Sequence, residues 1–153
     1  MVAIGIRQLT MLEILNYLSE TDMFFLPPLS ARLDIKNLAI KLNRFAVHFC
    51  AIEKERLVGF LGCYFNDPYK EFGFISSLSV VSELQRKGVA KRLLNSTIKY
   101  GIKNGFKQIR LQVHVSNLSA IRLYSEAGFL EVFRKGNLSG MTLDLQIFTK
   151  QIH

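Results

Sequence analysis

Between residues 46 and 81 the chain carries three apolar segments of strand length in succession: "AVHFCAI", "LVGFLGCYF" and "EFGFISSLSVV". The polar turn Glu53-Lys54-Glu55-Arg56 separates the first two, and "NDPYK" precedes the third. Runs of this kind bounded by turn residues read as a hairpin followed by a further strand. The apolar period then changes. Val89, Leu93 and Tyr100 line one side of a helix and Ala90, Leu94 and Ile98 the adjoining one, while Lys91, Arg92, Asn95 and Lys99 face out. Consecutive strands feeding a helix, with a further strand beyond it, confine the chain to an α/β arrangement around one mixed sheet.

The flanking segments complete the pattern. "AIGIRQL" alternates as a short first strand. Thr10 is placed to cap a helix over "MLEILNYLSET", with Met11, Leu12, Leu15 and Leu18 at helical spacing. Pro27 and Pro28 break the chain, and Asp34 can cap a second helix whose stripe is Ile35, Leu38, Ala39 and Leu42. The third helix stops at Asn104-Gly105. In "KQIRLQVHV", Leu111, Val113 and Val115 point one way and Gln112, His114 and Ser116 the other. Asn117 then caps "LSAIRLYSEA", which ends at Gly128, and "FLEVFRK" and "MTLDLQIF" close the chain as strands around "GNLSG". The predicted order is β-α-α-β-β-β-α-β-α-β-β: about seven strands and about four helices.

A length of 153 residues suits one domain, 1–153, with a real core. With 49% hydrophobic and 21% charged residues the chain reads as globular rather than disordered. No apolar run reaches the roughly 20 residues needed to span a bilayer, and the start lacks the basic and apolar regions of a signal peptide. The expected location is therefore cytoplasmic, away from membranes. Cys50 and Cys63 are the only cysteines, both in apolar runs, and no CxxC or His/Cys cluster suggests a metal. The net charge of +8 admits nucleic acid, an acidic surface or a polyphosphate ligand as partner.

The stretch "VVSELQRKGVAKRLL" decides among these. Two basic residues and a glycine stand where strand gives way to helix. A helix N-terminus offers unpaired N–H groups and about half a positive charge, a ready site for phosphate. Gly88, with no Cβ, lets an anion approach closely, and Ala90 is nearly as small. Arg86 and Lys87 add full charges. The turn is neither GxxxxGK[ST] nor GxGxxG, so it belongs to neither P-loop nor Rossmann chemistry. A basic nucleic-acid-binding module would need interleaved aromatics or a recognition helix, which the glycine turn fits less well.

"QRKGVA", of the form Q-x-x-G-x-A, is followed by N-x-x-A-x-x-x-Y-x-x-x-G-F from Asn117 to Phe129. Together, in this element order, the two motifs resemble the GNAT acetyltransferase superfamily over nearly the whole chain. The resemblance implies a GNAT-like α/β (α+β) domain with acetyl-coenzyme A as co-substrate and no metal. It implies that Gln85, Arg86, Lys87, Gly88, Val89 and Ala90 cradle the pyrophosphate. The strand backbone at Leu78, Ser79 and Val80 would hold the pantetheine arm, with the Val80 N–H facing the thioester carbonyl and Asn117 beside the arm. "ISSLSVV" and "IRLQVHV" would splay apart to admit the cofactor, and Tyr124 would protonate the departing thiolate.

The base is open at this level. Relatives resembling ribosomal-protein N-terminal acetyltransferases carry a glutamate where this chain has Gln112, which takes no proton at neutral pH. His114 on the same strand face and Glu71 are candidates, beside a water or an amine that arrives neutral. The acceptor side falls to "TDMFFLPPLSARLDIKNL", where Phe24, Phe25 and Leu26 are placed to line a pocket wall. The leading expectation is transfer to a primary amine of a small molecule, an amino sugar among the options. A protein N-terminus or lysine, a polyamine, and a non-catalytic CoA sensor are the alternatives. A homodimer is left open.

Overall fold

A computed structural model of the protein describes residues 1–25, 27–31 and 33–150, without the side chains of Phe24, Thr149 and Lys150. Its elements run β1 (Ala3–Ile6), α1 (Met11–Thr21), α2 (Ile35–Phe45), β2 (Val47–Glu53), β3 (Arg56–Tyr64), β4 (Phe72–Val80), α3 (Val89–Lys103), β5 (Gln108–His114), α4 (Leu118–Ala127), β6 (Leu130–Lys135), β7 (Leu138–Asp144) and α5 (Gln146–Lys150). Seven strands form one mixed sheet in the order β1-β2-β3-β4-β5-β7-β6. Among the described residues β4–β5 is the one parallel pair.

The helix caps expected from the sequence are made. The Thr10 hydroxyl accepts the Glu13 N–H while the Glu13 carboxylate accepts the Thr10 N–H, a reciprocal box. Asp34 accepts the N–H groups of Lys36 and Asn37, and Asn117 that of Ala120. Two details differ. The buried face of α1 is Ile14, Tyr17, Leu18 and Thr21, while Leu12 is exposed, because the helix meets the sheet one position round from the predicted stripe. The last strand stops at Asp144, whose carboxylate accepts the Gln146 N–H and starts α5 in place of continued strand.

Helices cover both faces. Crossovers β4–α3–β5 and β5–α4–β6 step along the sheet in the same direction, so right-handed connections put α3 and α4 on one face. Val89 and Leu93 of α3 lie against Gly59. On the other face Leu42 of α2 lies over Gly62, and the Tyr17 ring of α1 meets Phe60 edge-on at 6.1 Å. His48, 1% exposed, ties this layer together: its Nδ1 accepts the Leu9 N–H at 2.9 Å, so the proton sits on Nε2, which donates to the Leu42 carbonyl at 2.8 Å. Both cysteines are free and buried. No helix of the described residues is long and apolar enough to cross a membrane.

One irregularity positions everything that follows. In the β3–β4 ladder Gly62 pairs with Ser77 but Cys63 pairs with Ile75, which leaves Ser76 as an extra residue on β4. Such a bulge bends its strand. The β4–β5 ladder accordingly runs only from Phe72–Gln108 to Ile75–Leu111, while β4 continues to Val80 and β5 to His114. Beyond the bulge the two central strands part.

Candidate active site

The parted strands open a cleft of about 810 Å³. β4 contributes Ile75 to Val80 as one wall, and β5 contributes Leu111 to His114 as the other. The turn into α3 supplies Gln85, Arg86, Gly88, Val89, Ala90 and Lys91 at one end. Asn117, Arg122 and Tyr124 reach in from α4 and its cap. Phe25 and Pro27, from the α1–α2 connection on the opposite face, line it as well. The opening therefore passes through the sheet.

Backbone polarity follows from the strand geometry. The Val81 N–H bonds to the Val58 carbonyl of β3 at 2.9 Å. Strand groups alternate in direction, so those of Val80 and Leu78 turn away from β3 and into the cleft. The Val80 carbonyl takes the Gln85 side-chain amide at 3.0 Å. The N–H groups of Leu78 and Val80 then face the gap, because β5 has left pairing distance.

The turn before α3 leaves its helix N-terminus bare. Gly88 is the N-cap with φ +82° and ψ 6°, and no side chain caps the helix. The first intrahelical bond is Arg92 N–H to the Gly88 carbonyl, so the N–H groups of Val89, Ala90 and Lys91 have no helical partner. Arg86 also has positive φ, +65°. Left-handed residues thus bracket Lys87 on both sides. A Cβ placed on Gly88 meets no atom of a non-adjacent residue within 4 Å, so no other part of the protein packs on the turn at that point. Unpaired strand N–H groups continuous with a bare helix N-terminus fit a long ligand with a polyphosphate at one end.

Tyr124 is 6% exposed, and its ring meets Phe129 edge-on at 5.5 Å. Its hydroxyl has no hydrogen-bond partner among the described residues, and burial pushes the phenol well above its ordinary pKa. It is a protonated donor aimed at the cleft. His114 lines the cleft too, but its Nδ1 accepts the Ser116 N–H at 3.2 Å and lies 2.6 Å from the Ser116 hydroxyl. In the neutral ring the proton is then on Nε2, which leaves no free lone pair for an amine. Gln112 lines the cleft and is exposed. Glu71 stands before β4, ion-paired to Lys107 at 2.9 Å and outside the cleft lining. Lys87 is exposed at the turn without lining it. Phe25 lines the cleft, whereas the Phe24 side chain and Leu26 lie outside the described residues.

Sequence reasoning missed Lys91 and Arg122 at the cleft mouth and the Ser76 bulge. Lys91 sits three residues after Gly88, on the same helix side, which the spacing contained. It also missed the Tyr17 hydroxyl, which donates to the Ser79 carbonyl at 3.0 Å and accepts from its hydroxyl, holding β4 to α1. The single acidic residue in the cleft lining is Glu126, paired to Arg122 at 3.0 Å.

The profile of the Acetyltransferase (GNAT) family matches residues 11–129. A curated N-alpha-acetyltransferase of Saccharolobus solfataricus is 40% identical over 138 residues, covering 67% of this chain and 79% of that protein. N-alpha-acetyltransferase MAK3 of Arabidopsis thaliana is 32% identical over 87 residues, 56% of this chain and 46% of its own length. The chain thus spans less than half the length of that relative and of a Xenopus laevis N-alpha-acetyltransferase 30, at 45%. Among solved structures, the PaiA N-acetyltransferase of Thermoplasma acidophilum in complex with coenzyme A superposes with TM-score 0.74 at 18% identity, over 93% of this chain and 99% of that one. By motif, architecture and family match, the chain belongs to the GNAT acetyltransferase family.

Proposed function

We propose that this chain is an acetyl-CoA-dependent Nα-acetyltransferase, one domain that acts on the α-amine of a peptide or protein N-terminus. The curated relatives above carry that activity in their names. The observation that carries the reading to this chain is the missing base. Among the described residues no free carboxylate lines the cleft, Gln112 holds no proton, and the His114 lone pair is engaged. An α-amine, with a pKa near 7.7–8.0, is about a tenth to a third neutral at pH 7 to 7.4, whereas a lysine amine near 10.4 is almost wholly charged. Such a site favours the acceptor that arrives neutral.

The CoA-bound PaiA structure supports acetyl-CoA as donor. When bound, acetyl-CoA supplies the thioester carbonyl that the amine attacks and the thiolate that departs. The N–H groups at Val89, Ala90 and Lys91, with the charges of Arg86 and Lys91, hold the pyrophosphate, and Lys87, exposed beside the turn, adds to the positive field. The Leu78 and Val80 N–H groups bind the arm, and that of Val80 donates to the carbonyl oxygen as negative charge develops there. The Tyr124 hydroxyl donates a hydrogen bond to the leaving sulfur. Its raised pKa makes stabilisation of the thiolate, rather than complete transfer, its main contribution. The proton from the attacking amine leaves to water. The two free, buried thiols suit a reducing, cytoplasmic setting.

The test has two arms. Calorimetry compares acetyl-CoA with dephospho-CoA and ATP, and one acetyl-CoA site per chain is expected. Mass spectrometry then compares a peptide with a free α-amine and blocked lysine against its inverse. The α-amine is expected to react faster on the order of 10²-fold, following the neutral fractions. No binding at millimolar acetyl-CoA, or a preference for lysine, contradicts the reading.

A further inference from the structure

A second cavity, of about 500 Å³, lies beside the cleft and shares the Leu111–Gln112 segment of its lining. Phe72, Phe74, Arg110, Phe133 and Thr142 complete its principal walls. Along β5, Ile109, Leu111 and Val113 are buried against the α3 side, so Gln108, Arg110 and Gln112 share the opposite face. That is the face from which Phe25 and Pro27 enter the cleft, opposite the cofactor turn. The sheet remains accessible there at Val132 and Phe133, which are 61% and 45% exposed. The Phe133 ring packs against Gly140 of β7, where a Cβ would displace it.

Arg110 dominates this cavity. Its guanidinium carbon stands 4.2 Å from the Phe72 ring centre, and its Nε donates to Gln108 Oε1 at 3.0 Å. Stacking and the Nε bond fix the plane of the group while its terminal nitrogens stay unpaired. Five cations of the described residues form salt bridges, and Arg110 is not among them. Glu131 is held by Arg134 and Ser139, and Asp144 by the Gln146 N–H, so neither β6 nor β7 neutralises it. A planar, oriented, unpaired guanidinium over an aromatic floor suits bidentate capture of a carboxylate.

We propose that this cavity is a specificity subsite that takes an acidic side chain from the acceptor peptide. The inference rests on the α-amine reading of the cleft. An acceptor whose amine enters the splay beside Gln112 and whose chain then extends along β5 advances about 3.3 Å per residue. Arg110 is two residues back from Gln112, so the third residue of the acceptor lies over it. Side chains alternate in an extended peptide, which turns the first and third toward the same side. The preferred acceptor thus carries Asp or Glu at position three.

The experiment uses fluorescent heptapeptides with a free α-amine that differ only in Glu, Gln or Lys at position three, with the same Glu moved to positions two, four and five. Binding is read by anisotropy with CoA present, and transfer by mass spectrometry. The parent is expected to bind the position-three Glu peptide roughly tenfold more tightly than the Lys peptide. Arg110→Glu should invert that order, and Arg110→Gln should level it, while both keep the acetyl-CoA affinity of the parent as the sign of an intact fold. Equal binding of Glu and Lys peptides by the parent, an unchanged order in both variants, or a preference set at another position overturns the subsite. Binding is scored without turnover, so a failed α-amine reading shows separately as a selective binder that acetylates no peptide.

Discussion

Replacing Gly88 with alanine separates the strain of the cofactor turn from its use. Gly88 has φ +82°, and a Cβ there meets no atom of a non-adjacent residue within 4 Å. Without ligand the cost is therefore one of backbone conformation alone, about 1–2 kcal/mol for a left-handed residue with a Cβ. A chain of this size loses roughly 2–4 °C of Tm per kcal/mol, so the melt should fall by about 2–8 °C. Gly136, in the β6–β7 turn, is the control: its φ is +58° and its Cβ position is equally open. Gly136→Ala should lose a similar amount. The two variants part when acetyl-CoA is added. A methyl at position 88 projects into the open space at this turn, where the proposed pyrophosphate has to come close, so calorimetry should give an affinity lower by about tenfold or more, a loss of at least about 1.4 kcal/mol. Gly136→Ala should bind as the parent does. Gly88→Asp should weaken binding further by repelling the pyrophosphate. Equal acetyl-CoA affinity in the two alanine variants would refute an anion site at this turn, whatever their melting temperatures.

Three further outcomes are expected. Tyr124→Phe removes a hydroxyl that faces the cleft without a protein partner, so the variant should melt close to the parent while turnover falls on the order of 10²-fold and acetyl-CoA affinity changes by less than about 1.5 kcal/mol; full turnover in a well-folded variant makes Tyr124 a packing residue. His114→Ala should cost less than about tenfold in turnover, because Nδ1 already holds Ser116; a fall of roughly 10²–10⁴-fold with loss of the acidic limb of the pH profile would restore it as base. Burial pushes the Cys50 thiol from 9.0 to about 11, so the folded state favours the protonated form and stability is lost as pH rises from 9 to 11. Urea titrations across that window should show a loss smaller by on the order of 2 kcal/mol in Cys50→Ala than in the parent, where Cys63 and the buried tyrosines add to it, and parallel curves would contradict the assignment.

Much of the architecture was legible because it is written in periodicity and caps. Thr10, Asp34 and Asn117 announce helix starts, and the alternation of Leu111 and Val113 with Gln112 and His114 gives the two faces of β5. The turn proposed to hold the cofactor was conspicuous because Gly88 and its basic neighbours are local in sequence. The bulge was not. Ser76 has no special residue type, and its role exists only in the offset between Gly62–Ser77 and Cys63–Ile75 on two strands. The state of His114 was hidden for a similar reason: a histidine on a strand reads as a free base until Ser116 is seen bonded to Nδ1. Phe72 and Arg110 lie 38 positions apart and meet only because β4 and β5 pair in parallel from Phe72–Gln108 onward. Glu71 looked available because its partner Lys107 is likewise distant in sequence.

The parting of β4 from β5 also creates two strand edges in the interior of a sheet whose outer edges are β1 and β6. An edge with unpaired N–H and C=O groups is a template for any extended chain. On the proposed function the occupant of that template is acetyl-CoA, present in one copy and consumed at each turnover. Between turnovers the protein is exposed at its centre to the kind of strand addition that other sheets risk only at their rims. Colloidal behaviour should follow from this: at high concentration the protein should self-associate when stripped of ligand and disperse again on addition of CoA, even though the anionic ligand lowers the net charge of +8 that keeps copies apart.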